Sequence, residues 1–155
     1  MKEFVTVYLS LGSNLGNRLY QLQRAVITLG DTLGPITHLS DVYETPAWGF
    51  EGAPFLNACI ALDTSKTPED ILKTLLQTEF AAGRVRGQES GYSSRTLDID
   101  IIYYGREVVK SSELVIPHPH MEKRRFVLKP LADIAPQFYH PIYNKDTRNL
   151  LQECK

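Results

Sequence analysis

The chain has 155 residues, 43% hydrophobic and 23% charged, with a formal net charge of −1, values that allow one domain with its own core. A near-neutral chain is no general binder of nucleic acid or membrane surfaces, and no apolar run approaches the ~20 residues of a membrane span. Its two cysteines, Cys59 and Cys154, form neither a disulfide framework nor a metal-ligand spacing.

The expectation is therefore a cytoplasmic protein, without a leader, that folds as one domain over residues 1–155. Residues 4–11 (FVTVYLSL) alternate as a first strand. Gly12-Ser13-Asn14-Leu15-Gly16-Asn17 follows as a strand-to-helix turn with Ser and Asn available as N-caps. Backbone N–H groups at such a turn attract anions, but the P-loop ending and the Rossmann glycine spacing are missing. The turn is read as structural. Leu19, Leu22, Val26 and Leu29 predict one face of a helix over residues 18–29, ended by Gly30, Gly34 and Pro35.

Residues 36–45 predict a second strand, stopped by Pro46. The following loop is dense in Pro and Gly and holds Trp48, either a ring-binding wall or a core plug. Residues 55–62 (FLNACIAL) predict a third strand, interrupted by Asn57. A buried amide needs partners at both ends, which a ligand edge or a backbone turn could supply. Thr67-Pro68-Glu69-Asp70 reads as a helix start, with N-cap, Pro at the first position and acids in the first turn. Its buried stripe is Ile71, Leu72, Leu75, Leu76 and Phe80, with Glu79 on the same side, a nearby arginine being one candidate partner for it, and Gly83 as its end. A polar Gly- and Ser-rich loop then leads to a predicted central strand, residues 98–104, and is expected to be mobile.

On that strand Asp98 and Asp100 share a face, roughly 6–7 Å apart by the strand repeat, while Ile99 and Ile101 face a core. Paired carboxylates on an apolar strand resist burial. They suit a divalent cation, since Mg²⁺ takes one or two carboxylates plus substrate phosphates; a solvated edge strand is the alternative. Arginines gather around them: Arg84, Arg86, Arg95, Arg106, Arg124 and Arg125. Residues 105–109 predict a hairpin, residues 116–120 a stiff non-helical segment, and residues 121–131 a short helix anchored by Phe126, Leu128 and Leu131. The remainder reads as irregular, with a last helical turn over residues 147–154. The order β-α-β-β-α-β predicts an α+β, ferredoxin-like fold: an antiparallel sheet with helices packed on it and C-terminal additions.

Several blocks occur in order along nearly the whole chain: Tyr8-Leu9-Ser10-Leu11-Gly12-Ser13-Asn14-Leu15-Gly16, Tyr43-Glu44-Thr45-Pro46, Phe55-Leu56-Asn57-Ala58, Glu79, Gly83-Arg84-Val85-Arg86, Arg95-Thr96-Leu97-Asp98-Ile99-Asp100 and Ile116-Pro117-His118. Together they resemble the 6-hydroxymethyl-7,8-dihydropterin pyrophosphokinase family of folate biosynthesis. The resemblance implies a monomer that moves diphosphate from ATP to the pterin hydroxymethyl group and releases AMP, using two Mg²⁺ ions. It implies that Asp98 and Asp100 are metal ligands and, with Arg86 and Arg95, the catalytic set. Glu79, Arg84, Arg95, Ile101, His118 and Arg124 would serve ATP. Thr45, Pro46, Ala47, Trp48, Phe55, Asn57, Tyr92 and Phe126 would serve the pterin, with the two phenylalanines sandwiching its ring. Three rivals have the same topology or metal chemistry. A ferredoxin-like regulator has no need of the acid pair. An RNA-binding module needs aromatics in a basic setting where this chain has acids. A metal-dependent phosphodiesterase would hydrolyse without an acceptor.

Overall fold

The computed structural model describes residues 3–46, 52–83 and 96–155. Alternating apolar residues build β1 (Val5–Ser13), which continues through Gly12 and Ser13 instead of turning there. α1 (Arg18–Thr32) starts on Asn17, whose side chain accepts the Tyr20 amide at 3.1 Å. It runs on through Gly30 and buries Leu22, Ala25 and Leu29, while Leu19 stays 47% exposed. The chain turns at Gly34 (φ +151°), where a Cβ would sit 1.9 Å from the Asp63 carbonyl oxygen, so only glycine fits.

The single strand expected over residues 36–45 is two, β2 (Ile36–Leu39) and β3 (Tyr43–Thr45), both antiparallel to β4 (Phe55–Thr64). Ser40 makes the break. Its N–H donates to the Cys59 carbonyl at 3.0 Å, and its hydroxyl oxygen accepts the Cys59 N–H at 2.8 Å. A side chain thus replaces a backbone carbonyl in the ladder. α2 (Pro68–Ala81) starts on Thr67, which accepts the Asp70 amide at 3.2 Å, and buries Ile71, Leu75, Thr78 and Glu79. Phe80 is 71% exposed, contrary to the expected stripe. At 3.6 residues per turn it lies on the side of the helix opposite Ile71.

β5 (Asp98–Tyr104) pairs with β1, giving the order β2-β4-β1-β5 with β3 also on β4. The aspartate strand is thus an end strand of the sheet, not a central one. Its outer edge is covered: Glu79 Oε2 accepts the Ile99 N–H at 2.8 Å, and the His118 N–H donates to the Ile102 carbonyl at 3.2 Å. A bulge interrupts the β1–β5 ladder, because Tyr8 pairs with Tyr103 and Leu9 with Ile101. Ile102 is the extra residue, so Ile102 and Tyr103 join the same cluster.

The sheet has two differently covered faces. On one, Leu9, Leu11, Ile60 and Ile99 pack with Leu29 of α1 and with Ile71 and Leu75 of α2. On the other, Cys59, Ile102 and Tyr103 pack with α3 (Arg125–Ile134) and α4 (Thr147–Glu153). Between β5 and α3, β6 (Val109–Lys110) pairs with β7 (Val115–Ile116), so the expected hairpin closes on itself and not on β5. The helix expected over residues 121–131 breaks at Arg124 (φ −114°, ψ 93°), with a 3₁₀ turn at Met121–Lys123 before α3. Among the described residues no helix is long and apolar enough to cross a membrane.

Candidate functional site

The strand register places the chemistry. Gly12 lies opposite Asn57 on one side and Asp98 on the other; Ser10 lies opposite Cys59 and Asp100. Opposed residues of an antiparallel pair share a face. Asp98, Gly12 and Asn57 therefore form one row across the sheet, and Asp100 and Ser10 the next. This is the face that α3 and α4 only partly cover. What stays open is a cleft of about 510 Å³, counting the solvent at its mouth. Its floor is Ser10, Gly12, Asn57 and the two aspartates, and its rim is Thr45, Pro46, Phe55, Arg124 and Phe126.

Each part has a local cause. Phe55 opens β4 and Phe126 lies in the first turn of α3, so two half-buried aromatics flank the cleft from different elements. Asn57 is only 4% exposed and donates its amide to Thr45 Oγ1 at 2.6 Å, across the β3–β4 ladder. That bond ties the Asn57 side chain to β3. A Cβ at Gly12 would approach Asn57 Oδ1 to 3.1 Å and Phe55 Cδ1 to 3.5 Å, so glycine keeps the floor flat.

Asp98 and Asp100 are half-buried, and His118 Nε2 lies 3.9 Å from Asp100 Oδ2. Burial lowers the His118 imidazolium below its usual range, as does the like charge of His120, against smaller pulls from Asp98 and Glu122. His118 Nδ1 accepts the His120 N–H at 3.2 Å, so the neutral ring carries its proton on Nε2, toward Asp100. Arg124 places Nη1 3.5 Å from His118 Nε2 and its Cζ 5.8 Å from the Phe126 ring centre. Burial lowers its guanidinium too, which nevertheless stays charged.

A second cleft, of about 730 Å³, opens on the other side of Asp100. Leu72 and Leu76 of α2, Ile99 and Ile101 of β5, Ser112 to Val115, His118 and Pro119 line it. Leu76 is thus a cleft wall and not core. Asp100 belongs to both clefts.

Ten of the residues singled out in the sequence line the clefts: Thr45, Pro46, Phe55, Asn57, Asp98, Asp100, Arg124 and Phe126 the first, Ile101 and His118 the second. Glu79, 1% exposed, stands behind β5 and holds the peptide between the two aspartates. Ala47, Trp48, Arg84, Arg86, Tyr92 and Arg95, with the loop expected to move, lie outside the described residues. Sequence reasoning missed Ser10 and Gly12. A glycine after an uninterrupted strand pattern was the available signal for close approach.

Among the described residues no three His, Cys, Asp or Glu gather as a metal cage. Two carboxylates with an adjoining open cleft fit Mg²⁺, which keeps waters and binds substrate phosphates in preference to an all-protein shell.

Comparison with known proteins bears on the same chain. The family described as 7,8-dihydro-6-hydroxymethylpterin-pyrophosphokinase (HPPK) matches residues 8–136. A 2-amino-4-hydroxy-6-hydroxymethyldihydropteridine pyrophosphokinase of Aquifex aeolicus is 40% identical over 149 residues, covering 96% of this chain and 91% of that protein. Its namesake from Porphyromonas gingivalis is 46% identical over 138 residues, 87% and 93% of the respective chains. Among solved structures, wild-type Plasmodium falciparum HPPK-DHPS with SDX-DHP superposes with a TM-score of 0.77 at 14% identity, a likeness of fold. It covers 99% of this chain and 45% of that one, so the chain spans less than half of the Plasmodium protein.

Proposed function

The chain belongs to the 7,8-dihydro-6-hydroxymethylpterin-pyrophosphokinase family, and from that premise we propose that the two clefts that share Asp100 seat the two substrates on either side of it. It is a pyrophosphokinase of folate biosynthesis, transferring diphosphate from ATP to the hydroxymethyl group of 6-hydroxymethyl-7,8-dihydropterin. The pterin takes the first cleft. Phe55 and Phe126 hold its faces, and Thr45 and Asn57 its hydrogen-bonding edge. The nucleotide takes the second, with its adenosine against Leu72, Leu76 and Ile101 and its phosphates toward His118, Arg124 and Asp100.

Phosphoryl transfer asks a protein for positioning and charge neutralisation more than for covalent chemistry. Asp98 and Asp100 would hold the Mg²⁺, two ions in this reading, which offset phosphate charge and acidify the attacking alcohol when bound. The aromatic pair and the Thr45–Asn57 edge point the pterin hydroxyl toward the β-phosphorus, so attack proceeds with AMP as the leaving group. The His118 Nε2–H donates to a phosphate oxygen, and Arg124 adds a bidentate donor. Arg84, Arg86 and Arg95 would complete the cationic lining, with Ala47, Trp48 and Tyr92 on the pterin side. In this reading residues 1–155 act as one catalytic unit and as a monomer.

The observation that carries the reading is the shared carboxylate, Asp100, which among the described residues lines both clefts. The test follows ATP conversion by chromatography with and without the pterin alcohol, and with and without Mg²⁺. AMP is expected only when both are present. AMP that forms without the alcohol would indicate a hydrolase and overturn the transfer.

A further inference from the structure

A single guanidinium ties α1 to both stems of the loop beside the pterin cleft. Arg18 Nη1 donates to the Pro54 carbonyl at 2.9 Å and lies 2.8 Å from Glu44 Oε2. Asn14, 2% exposed, donates its amide to the adjacent Ala53 carbonyl at 2.9 Å. Glu44 and Pro54 each stand one residue from the paired residues Thr45 and Phe55. Glu44 lies opposite Leu56, which packs on the α1 side of the sheet, so Arg18 grips the hairpin from behind the cleft.

β3 has only three residues and pairs with β4 alone, which leaves its end weakly held by the ladder. Yet this end sets the cleft. Thr45 Oγ1 orients the Asn57 amide, and Phe55 forms a wall. As an ion pair Arg18–Glu44 contributes little to stability, since its side chains are 30% and 56% exposed. Holding the spacing between Thr45 and Phe55 is a different matter. We infer that Arg18, supported by Asn14, is a positioning residue that sets the width of the pterin cleft. This rests on the reading of that cleft given above. The nucleotide cleft, built from α2, β5 and the β6–β7 hairpin, lies beyond its reach.

The test is calorimetric titration of the full chain, its Arg18→Ala and its Arg18→Lys variants, with the dihydropterin in the presence of a non-hydrolysable ATP analogue, and with the analogue alone. Arg18→Ala should weaken pterin binding about tenfold and leave the analogue within about twofold, with a Tm shift of no more than about 2–4 °C. Arg18→Lys, which keeps the charge and one donor nitrogen, should recover part of the loss. Pterin affinity unchanged in Arg18→Ala overturns the inference alone. Equal losses for both ligands also overturn it, because that is general loosening. A parent chain that takes no pterin overturns the cleft reading and this inference with it.

Discussion

Gly12→Ala offers the sharpest test of the cleft floor, because a single methyl is added at a known place. Gly12 sits inside β1 with ordinary strand backbone, so alanine brings no φ strain. The cost is spatial. The new Cβ would stand 3.1 Å from Asn57 Oδ1, closer than carbon and oxygen normally pack, and 3.5 Å from Phe55 Cδ1, an ordinary contact. Asn57 must yield by a few tenths of an ångström. It is held by its 2.6 Å bond to Thr45, so the shift is resisted and not absorbed. Overpacking of this kind costs about 1–3 kcal/mol, while alanine in place of strand glycine returns about 0.5–1 kcal/mol. The net is about 1 kcal/mol of stability, or a Tm lower by roughly 2–4 °C in a chain of this size. Pterin binding should suffer more, since the methyl displaces the edge-reading amide and raises the floor beneath the ring. A loss of about 1–3 kcal/mol, roughly 5- to 150-fold in Kd, is expected. Thermal unfolding and pterin titration on the same preparation separate the two effects. A folded variant with the parent's pterin affinity would show that no ring lies over Gly12, and the geometry built on that row would be wrong.

Asp98→Asn and Asp100→Asn should fold normally and lose on the order of 10³-fold or more in kcat at saturating Mg²⁺, several kcal/mol of barrier; near-parent turnover in either refutes the metal assignment. Glu79→Ala leaves the buried Ile99 N–H without its acceptor and should cost about 1–3 kcal/mol in denaturant unfolding. A variant as stable as the parent would show that the bond is dispensable. His140 is 3% exposed, and its Nδ1 accepts the Ile142 and Tyr143 N–H groups at 3.1 and 3.2 Å. Burial lowers its imidazolium below the usual 6.5, against a smaller opposite pull from Glu122. The unfolded chain therefore takes up the proton first, so stability present above about pH 6.5 is lost as pH falls toward the folded value. His118 is shifted the same way and adds to that slope. Unfolding measured across this range should be less pH-dependent in His140→Asn, and an unchanged slope would count against the buried acceptor role.

Local chemistry was legible and long-range register was not. Asn17 and Thr67-Pro68 mark helix starts because a cap is a contact between residues three apart. The aspartates share a face because strand periodicity needs nothing beyond the strand itself. The residue blocks that carry the family resemblance likewise survive as strings. Gly12 misled because a glycine after Leu-Ser-Leu reads as a turn as readily as a close approach, and its neighbours Asn57 and Asp98, far away in sequence, decide between the two. The break at Ser40 depends on Cys59, and the end position of β5 depends on which strands pair with β1. Arg18 carries no local sign of its bond to Pro54, 36 residues on.

The bulge at Ile102 gives β5 two independent frames. From Asp98 to Ile101 the strand is phased by its partners Gly12, Leu11, Ser10 and Leu9. After the extra residue the phase restarts with Tyr103 on Tyr8. Side chains beyond the bulge can therefore be exchanged, lengthened or repacked against α3 and α4 without a half-turn being passed back to the aspartates. In an unbroken ladder one inserted residue would flip every side chain along the strand. Here the reacting end is insulated from such slips, and the strand beyond Ile102 can change its packing while the carboxylates keep their aim.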